Sequence, residues 1–462
     1  MTGSIAINEI EARKDSLIEL AQKMWDNPEL AFHEVKACEW TAEFLRNEGF
    51  EVEVGHAGLP TAIKATWGSG KPVIGYLGEF DALPVLSQKV STAQDPVVPS
   101  GDGHGCGHCL MTPACIGAAL GAKKEMLEKN LSGTLVVYAC PAEEVLTGKG
   151  FMARGGAFRE LDIAFSWHSS PNYNLSMGGM AALNNAKFHF RGKTAHAGFE
   201  PFNGRSALDA AELMNVGANF LREHVPDITR IHYAFQNSEG APNVVPDKAT
   251  MWYFIRAGSR ESVEETYQRL IKVAEGAAMM TETEVEVEFL GGCYEALQNE
   301  TLLTLIRDSM IEITPPKWSD EDMEFAAELN RQSPNYDKLV RSGAIEEGRH
   351  LDTVIPEEFS HADNFGSTDV SDVQHIVPTA LFFTANTNIG AAFHTWQITS
   401  CVGHSIGRKG ALYGAKAMAM STIKALENPE IIEQAKAEFK KSMNGKEYIC
   451  PVTDEIPVPQ PN

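Results

Sequence analysis

The chain has 462 residues, enough for more than one hydrophobic core, and its 43% hydrophobic, 22% charged and 8% aromatic content is that of a water-soluble globular enzyme. Thirty-nine basic against 62 acidic residues give a formal net charge of −23, which repels nucleic acid and anionic lipid and argues against both as partners. No apolar run approaches the roughly 20 residues needed to span a bilayer.

The first residues, "MTGSIAINEIEARKDSLIEL", contain no basic segment followed by an apolar core and a cleavage site, so a cytoplasmic location is expected. The eight cysteines are scattered along the chain and read as reduced thiols, most of them buried. Apolar residues at helical spacing (Ile10, Leu17, Leu20, Met24) predict a first helix over residues 9–25, and "VKACEWTAEFLRNEG" predicts a second, ending at Gly49. Short β-type runs follow at 51–54, 61–67 and 72–80. After a loop rich in Pro, Ser and Asp, Thr112 is placed as the cap of a helix whose first residue is Pro113. "GTLVVYAC" (133–140) and "DIAFSWH" (162–168) are apolar enough for buried strands.

The pattern changes near residue 180. Strand, helix, strand, strand, helix and strand follow in that order up to "EVEVEFL", the order of a ferredoxin-like unit. The fold class expected is therefore α/β. A mainly parallel-sheet domain (1–182 plus 293–462) would carry an inserted ferredoxin-like α+β domain (183–292). Beyond the insertion we expect a helix at 299–312, an irregular acidic stretch at 313–362, a strand in "TALFFTAN" and a closing helix at 409–429.

Cys106-Gly107-His108-Cys109 can be read as a redox dithiol or as part of a metal site. The dithiol reading expects the first cysteine at the start of a helix, and the predicted start at Pro113 leaves Cys109 separated from it. The metal reading needs further donors. Strand ends supply them in Glu143 and Glu144 of "CPAEEVLTGKG", His168 of "FSWHSSP" and His394 of "AAFHTWQ". Taken singly, a strand-end histidine has a structural reading and a Glu-Glu pair is commonly a solvated turn; their succession along an α/β chain is more telling. Of the two adjacent carboxylates, one can bind metal while the other moves protons.

"GEFDALP", "GHGCGH", "PAEE", "WHSSP", "GKTAHA", "PNVVP", "GSTDV" and "HTWQ" together resemble the aminoacylase/carboxypeptidase metallohydrolase family over nearly the whole chain, most of all its amidohydrolase branch. "GHGCGH", "HTWQ", "PELAFHE" and the 313–362 insertion are most similar to the p-aminobenzoyl-glutamate hydrolase subgroup. The resemblance implies a two-metal site, zinc or manganese with cobalt as a further candidate, ligated by Cys106, His108, Glu144, His168 and His394, with the Cys106 thiolate as bridge. Glu143 would be the general base and then the acid toward the leaving amine, and Asp81 would orient a ligand. The inserted domain would act as lid and homodimerisation unit, with His196 stabilising the oxyanion, often across the dimer. Asn243 and Arg256 would contact substrate, although Arg256 also reads as a strand-end surface charge.

Two departures stand out. Glu79 occupies a position where family members outside this branch carry a histidine ligand, and Cys109 stands where relatives carry Asp or Asn. His361, His375 and His404 are read as structural and His104 as supporting a ligand. The implied activity is hydrolysis of an amide in an N-acyl amino acid or dipeptide-like small molecule, p-aminobenzoyl-glutamate being favoured. Indoleacetyl, benzoyl or β-alanyl groups are alternatives, and a thiol-redox role for Cys106 and Cys109 is the competing class.

Overall fold

The computed structural model describes residues 4–238 and 240–461. Two helices, α1 (Ile5–Asp26) and α2 (Val35–Asn47), lead into β1 (Glu51–Val54), β2 (Ile63–Ser69) and β3 (Val73–Glu79). Helix α1 buries Ile10, Leu17, Ala21 and Met24, the stripe that its apolar spacing dictates. Next come α3 (His108–Lys129), β4 (Gly133–Cys140), α4 (Gly148–Arg154) and β5 (Ile163–Ser170). All eight residues of β4 are buried, as expected of a strand covered on both faces. Helix α3 covers the sheet beneath α1 and a later helix, so it is buried almost all round along its first four turns.

The chain then forms β6 (Ala182–Arg191), α5 (Ala207–Leu221), β7 (Arg230–Ser238), β8 (Lys248–Ala257), α6 (Arg260–Thr281) and β9 (Glu284–Cys293). It returns through α7 (Glu300–Glu312), α8 (Asp320–Asn330), α9 (Pro334–Arg341), α10 (Val370–Gln374) and β10 (Thr379–Ala385). The last elements are α11 (Trp396–Gly403), α12 (Ser405–Glu427) and α13 (Glu430–Met443).

Two sheets result. The first runs β1-β2-β4-β3-β5-β10, with β4, β3, β5 and β10 mutually parallel and the β2 and β1 edge antiparallel. The second runs β7-β8-β6-β9, wholly antiparallel, and encloses with α5 and α6 its own core around Phe188, Met251, Tyr253 and Leu270. The fold is thus α/β with a mainly parallel sheet and a separate antiparallel α+β unit lying between β5 and β10 in the chain.

Three sequence expectations are corrected. Helix α3 begins at His108, not Pro113. Pro113 is the sixth residue of that helix and forgoes the bond its position would make to the Cys109 carbonyl, and the Thr112 hydroxyl bonds the Glu79 carbonyl instead of capping. The 313–362 stretch is not wholly irregular, since α8 starts at a Ser319/Asp322 capping box and α9 at Ser333 followed by a proline. The helix read as closing the chain begins earlier, at Ser405, and is followed by α13. Among the described residues no helix is long and apolar enough to cross a membrane.

Candidate metal centre

Parallel strands deliver their carboxyl ends to one edge of the sheet, and the chemistry-bearing residues collect there. Glu79 ends β3 and Asp81 follows it; Glu143 and Glu144 follow β4; His168 lies near the end of β5. His108 opens α3 and is fully buried. Gly107 before it has φ of +86°, and a Cβ there would lie 2.4 Å from the Ser169 hydroxyl, so only glycine lets Cys106 and His108 turn toward the same point. His394 comes from the loop after β10, with φ of +60°, its N–H held by the Gly105 carbonyl.

Asp81, 1% exposed, organises the centre. One of its oxygens lies 2.9 Å from Nδ1 of His108 and the other accepts the backbone N–H of Glu144 at 2.9 Å. His168 similarly places Nδ1 2.7 Å from the Ser169 carbonyl, which leaves its Nε2 facing Cys106 Sγ at 3.5 Å. His394 Nε2 is 3.5 Å from Glu144 Oε2. Donor atoms of Cys106, His108 and His168 lie within 4.8 Å of one another, as do those of Cys106, Glu144 and His394, and a third group joins Glu79, His108 and Glu143. Cys106 is common to the first two.

These donors suit divalent ions. Nε2 of His108, Oε1 of Glu144 and Oε2 of Glu79 are buried without any hydrogen-bond partner, an arrangement that costs several kcal/mol unless something fills it. A tetrahedral ion with bonds of about 2.1–2.3 Å holds neighbouring donors roughly 3.4–3.6 Å apart, which is the spacing observed at two of these pairs.

The electrostatics agree. Burial pushes Glu143 well above the usual carboxylate range, reinforced by Glu79 and Asp369. Burial and neighbouring carboxylates also push Glu144 up to about 7, and burial raises the Cys106 thiol strongly. Burial and His108 lower His168 to about 4, so its ring is neutral. Burial opposes charge on His108, yet Cys106 and Asp81 outweigh it and raise that ring well above normal. A site crowded with anionic donors that resist ionising is one built for a cation.

Cys109 lies within the first turn of α3, fully buried, and both it and Cys106 are free thiols. Burial raises its pKa to about 12, the opposite of an activated dithiol. His104 contacts the Met24 carbonyl and belongs to none of the donor groups found among the described residues. His404 caps α12 and stacks on Phe325, while His375 bonds the Ser371 carbonyl. His361 belongs to none of the donor groups.

Arg256, at the end of β8, is held by the Phe365 carbonyl and the Ser367 hydroxyl and is near enough to Glu143 for their charges to interact. His196 and Asn243 are brought together on an exposed loop, where the Ala197 N–H bonds the Asn243 carbonyl. Among the described residues, no hydrogen bond or ion pair joins either of them to the donor cluster. Sequence reading missed Lys149 and Asp369, both fully buried, with Lys149 Nζ 2.5 Å from Glu79 and 2.6 Å from Asp369. Nothing in "TGKG" distinguishes that lysine from a surface residue; only the fold does.

Residues 75–398 match the sequence pattern of peptidase family M20/M25/M40. The chain belongs to this family. Its relatives include one of the subunits of the p-aminobenzoyl-glutamate hydrolase of Escherichia coli (strain K12), 38% identical, with 97% of this chain and 96% of that one aligned. Xaa-Arg dipeptidase of Mus musculus is 27% identical over 96% of this chain and 93% of its own. Among solved structures, a dinuclear metal-binding peptidase of Bacillus subtilis from the M20 family has a TM-score of 0.60 at 20% identity, covering 90% of this chain and 99% of its own. An aminobenzoyl-glutamate utilization protein from Klebsiella pneumoniae has a TM-score of 0.61 at 15% identity, covering 90% and 96%. At these identities the structures attest the fold. The family resemblance read from the motifs is met, and this M20 member is a metallohydrolase acting on amide bonds.

Proposed function

We propose that this M20 hydrolase uses two divalent ions, zinc or manganese with cobalt as a further candidate, to cleave N-acyl amino acids of the p-aminobenzoyl-glutamate type. The observation that carries the two-ion reading is the pair of three-donor groups sharing Cys106. Cys106, His108 and His168 would hold one ion, and Cys106, Glu144 and His394 the other. Such ions acidify a bound water and polarise a carbonyl.

The chain's own residues do the rest. Glu143, 7% exposed and raised in pKa chiefly by burial, accepts the proton of the attacking water and returns it to the leaving nitrogen, two roles that one positioned carboxyl can fill. Asp81 fixes the ring of His108 and the backbone at Glu144. Arg256 would receive a substrate carboxylate. Its cross-strand partner Arg230 lies over the Phe365 ring, 4.5 Å from its centroid, and neither arginine has a carboxylate within 4.0 Å among the described residues. Two guanidinium groups that bond carbonyl and hydroxyl oxygens but no carboxylate suit a substrate with two carboxylates, as a glutamate has. Phe383 and Phe393 beside His168 offer apolar surface to an aromatic acyl group.

Residues 183–292 serve in this reading as lid and dimerisation domain, and 1–182 plus 293–462 as catalytic domain, in a cytoplasmic homodimer. β7 is an edge strand with Tyr233 and Phe235 exposed, and Phe199 and Phe220 are exposed on the same unit. His196 would then stabilise the oxyanion from one protomer in its partner's site, with Asn243 contacting substrate.

The test is metal content and amide hydrolysis before and after chelation, across N-acyl amino acids. Two ions per chain and chelator-sensitive release of glutamate from p-aminobenzoyl-glutamate are expected. Selective hydrolysis of benzoyl, indoleacetyl or β-alanyl substrates would displace the substrate assignment, and metal-independent dithiol exchange would displace the class.

A further inference from the structure

The two-ion assignment uses Cys106, His108, His168, Glu144 and His394 as ligands and leaves Glu79 without a role. Glu79 is 0% exposed, and its two oxygens differ. Oε1 receives the ammonium of Lys149 at 2.5 Å, and that ammonium is held in turn by Asp369 at 2.6 Å. Oε2 has no hydrogen-bond partner and lies 3.4 Å from Nε2 of His108, which has none either.

Nδ1 of His108 faces Asp81, so with the proton on Nδ1 its Nε2 presents a lone pair. In the metal-free chain a proton on Nε2 pairs the ring with Glu79 across this gap; once metal uptake removes that proton, two lone-pair donors face each other and a cation takes its place. The separation is also the bite of one tetrahedral ion, about 3.4 Å for two bonds of about 2.1 Å. Charge points the same way. Glu79, Asp81 and Asp369 bring three carboxylates against Lys149, the one buried lysine or arginine among the described residues, and the donors add more negative charge once metal uptake has ionised them.

Resting on the two-ion reading above, we infer that Glu79 is an additional metal ligand: its Oε2, which groups with His108, binds the ion on the His108 Nε2 side, while Lys149 fixes the carboxylate by its other oxygen. Lys149 is then a positioning residue. It prevents Glu79 from rotating away and neutralises part of its charge, which keeps the carboxylate ionised in an interior that would otherwise protonate it.

The decisive measurement is a crystal structure of the wild-type chain loaded with zinc. Glu79 Oε2 within about 2.2 Å of the ion beside His108 is expected; an ion seated on Cys106, His108 and His168 with Glu79 Oε2 beyond about 3 Å overturns this inference alone. A chain that takes up no zinc at all overturns the two-ion reading and this inference with it.

Glu79→Gln in the cobalt-loaded protein gives a second readout. The variant is expected to bind one of its two ions 10–100-fold more weakly in chelator competition, with a changed visible spectrum at that site, while the other ion is unaffected. Wild-type affinities and an unchanged spectrum would overturn the assignment. Failure of the variant to fold leaves the wild-type crystal to decide.

Discussion

Asp81 and His108 form the contact on which the metal centre turns, an Oδ1 to Nδ1 distance of 2.9 Å between two fully buried side chains. The bond selects the tautomer of His108 and aims Nε2 inward, and the second Asp81 oxygen fixes the backbone of Glu144. One carboxylate therefore orients a donor from each of the two proposed ion sites. Asp81→Ala is expected to weaken metal binding about 10–100-fold, with Asp81→Asn less severe because an amide oxygen can still accept one of the two bonds. Chelator competition checks this, and unchanged affinity in Asp81→Ala would remove Asp81 from its role.

Glu143 separates from Glu144 in the same kind of experiment. Adjacent in sequence, they sit in a turn entered through Ala142 at a φ of +60°, and their side chains face different partners: Glu143 toward His108 Nε2 at 4.0 Å, Glu144 toward His394. Glu143→Gln is expected to retain both ions and to lose about 10²–10⁴-fold in kcat, the usual worth of a positioned proton-transfer group. Glu144→Gln is expected to lose metal as well as activity. Equal metal loss in both variants would show that the two residues do not divide the work as proposed.

How much of this could be read beforehand follows from how local each signal is. The strands carry their own period and burial, so β1 and β4 fall where the residue pattern puts them, and the β-α-β-β-α-β order of the second unit needs no tertiary information. The start of α3 was misplaced because Pro113 is a strong local helix-start signal, while the true start depends on Gly107 adopting a left-handed φ beside Ser169, a contact from a distant strand. Helices α8 and α9 lie in a polar, acidic stretch, and their start signals are the capping residues Ser319 and Ser333. The five proposed metal donors were legible through motifs, but their division into two groups sharing Cys106 depends on strand order. Asp369 lies within the quoted motif "GSTDV", but its pairing with Lys149 was invisible because burial of a lysine is a property of the fold.

Cys106 and Cys109 provide the test between metal and redox chemistry. Cys106 reaches His168 and is 7% exposed, whereas Cys109 is 0% exposed in the first turn of α3 with no donor group around it. Cys106→Ser is expected to abolish hydrolysis with loss of bound metal. Cys109→Ser places a hydroxyl in an apolar site and is expected to lower stability by about 1–3 kcal/mol while leaving kcat within a few-fold. Thermal melts and turnover separate the two effects. Strong loss of activity at Cys109 with metal intact would contradict the assignment.

Arg256 and Arg230 are predicted to differ in what they recognise. Arg256, half-buried and electrostatically linked to Glu143, is nearer the chemistry, so Arg256→Gln should lower kcat/KM on every N-acyl amino acid. A charged hydrogen-bonding pair is worth about 1.5–3 kcal/mol, or roughly 10–150-fold. Arg230→Gln should raise KM for substrates with a side-chain carboxylate and leave those without one unchanged. Equal effects on N-acyl glutamate and N-acyl alanine would remove Arg230 from side-chain recognition.

The pH dependence of metal uptake has a fixed sign. Ligands bind as Cys thiolate, carboxylate and neutral imidazole, while burial raises Cys106 and holds Glu144 at about 7, and Cys106 and Asp81 raise His108 against its burial, so each must surrender a proton. Affinity should therefore rise with pH and protons should be released on binding, with Glu144 contributing around neutrality. His168, lowered to about 4, is already neutral there and contributes nothing.

The same shifts govern the stability of the metal-free chain. A carboxyl raised on folding contributes stability that is fully present below its unfolded value and lost as pH rises through its folded one. Glu144 and Asp372 at about 7 and Glu34 at about 8, raised chiefly by burial, all act in this direction, as does His108. The depressed His104 and His168 act oppositely, but only between about 4 and 6.5, below the window in question. From pH 6.5 to 8 the metal-free protein should consequently melt at progressively lower temperature, and zinc should restore most of the loss. A melting temperature that rises over this interval in the metal-free protein would contradict the assignment of these groups, and isothermal titration in two buffers of different ionisation enthalpy would count the protons directly.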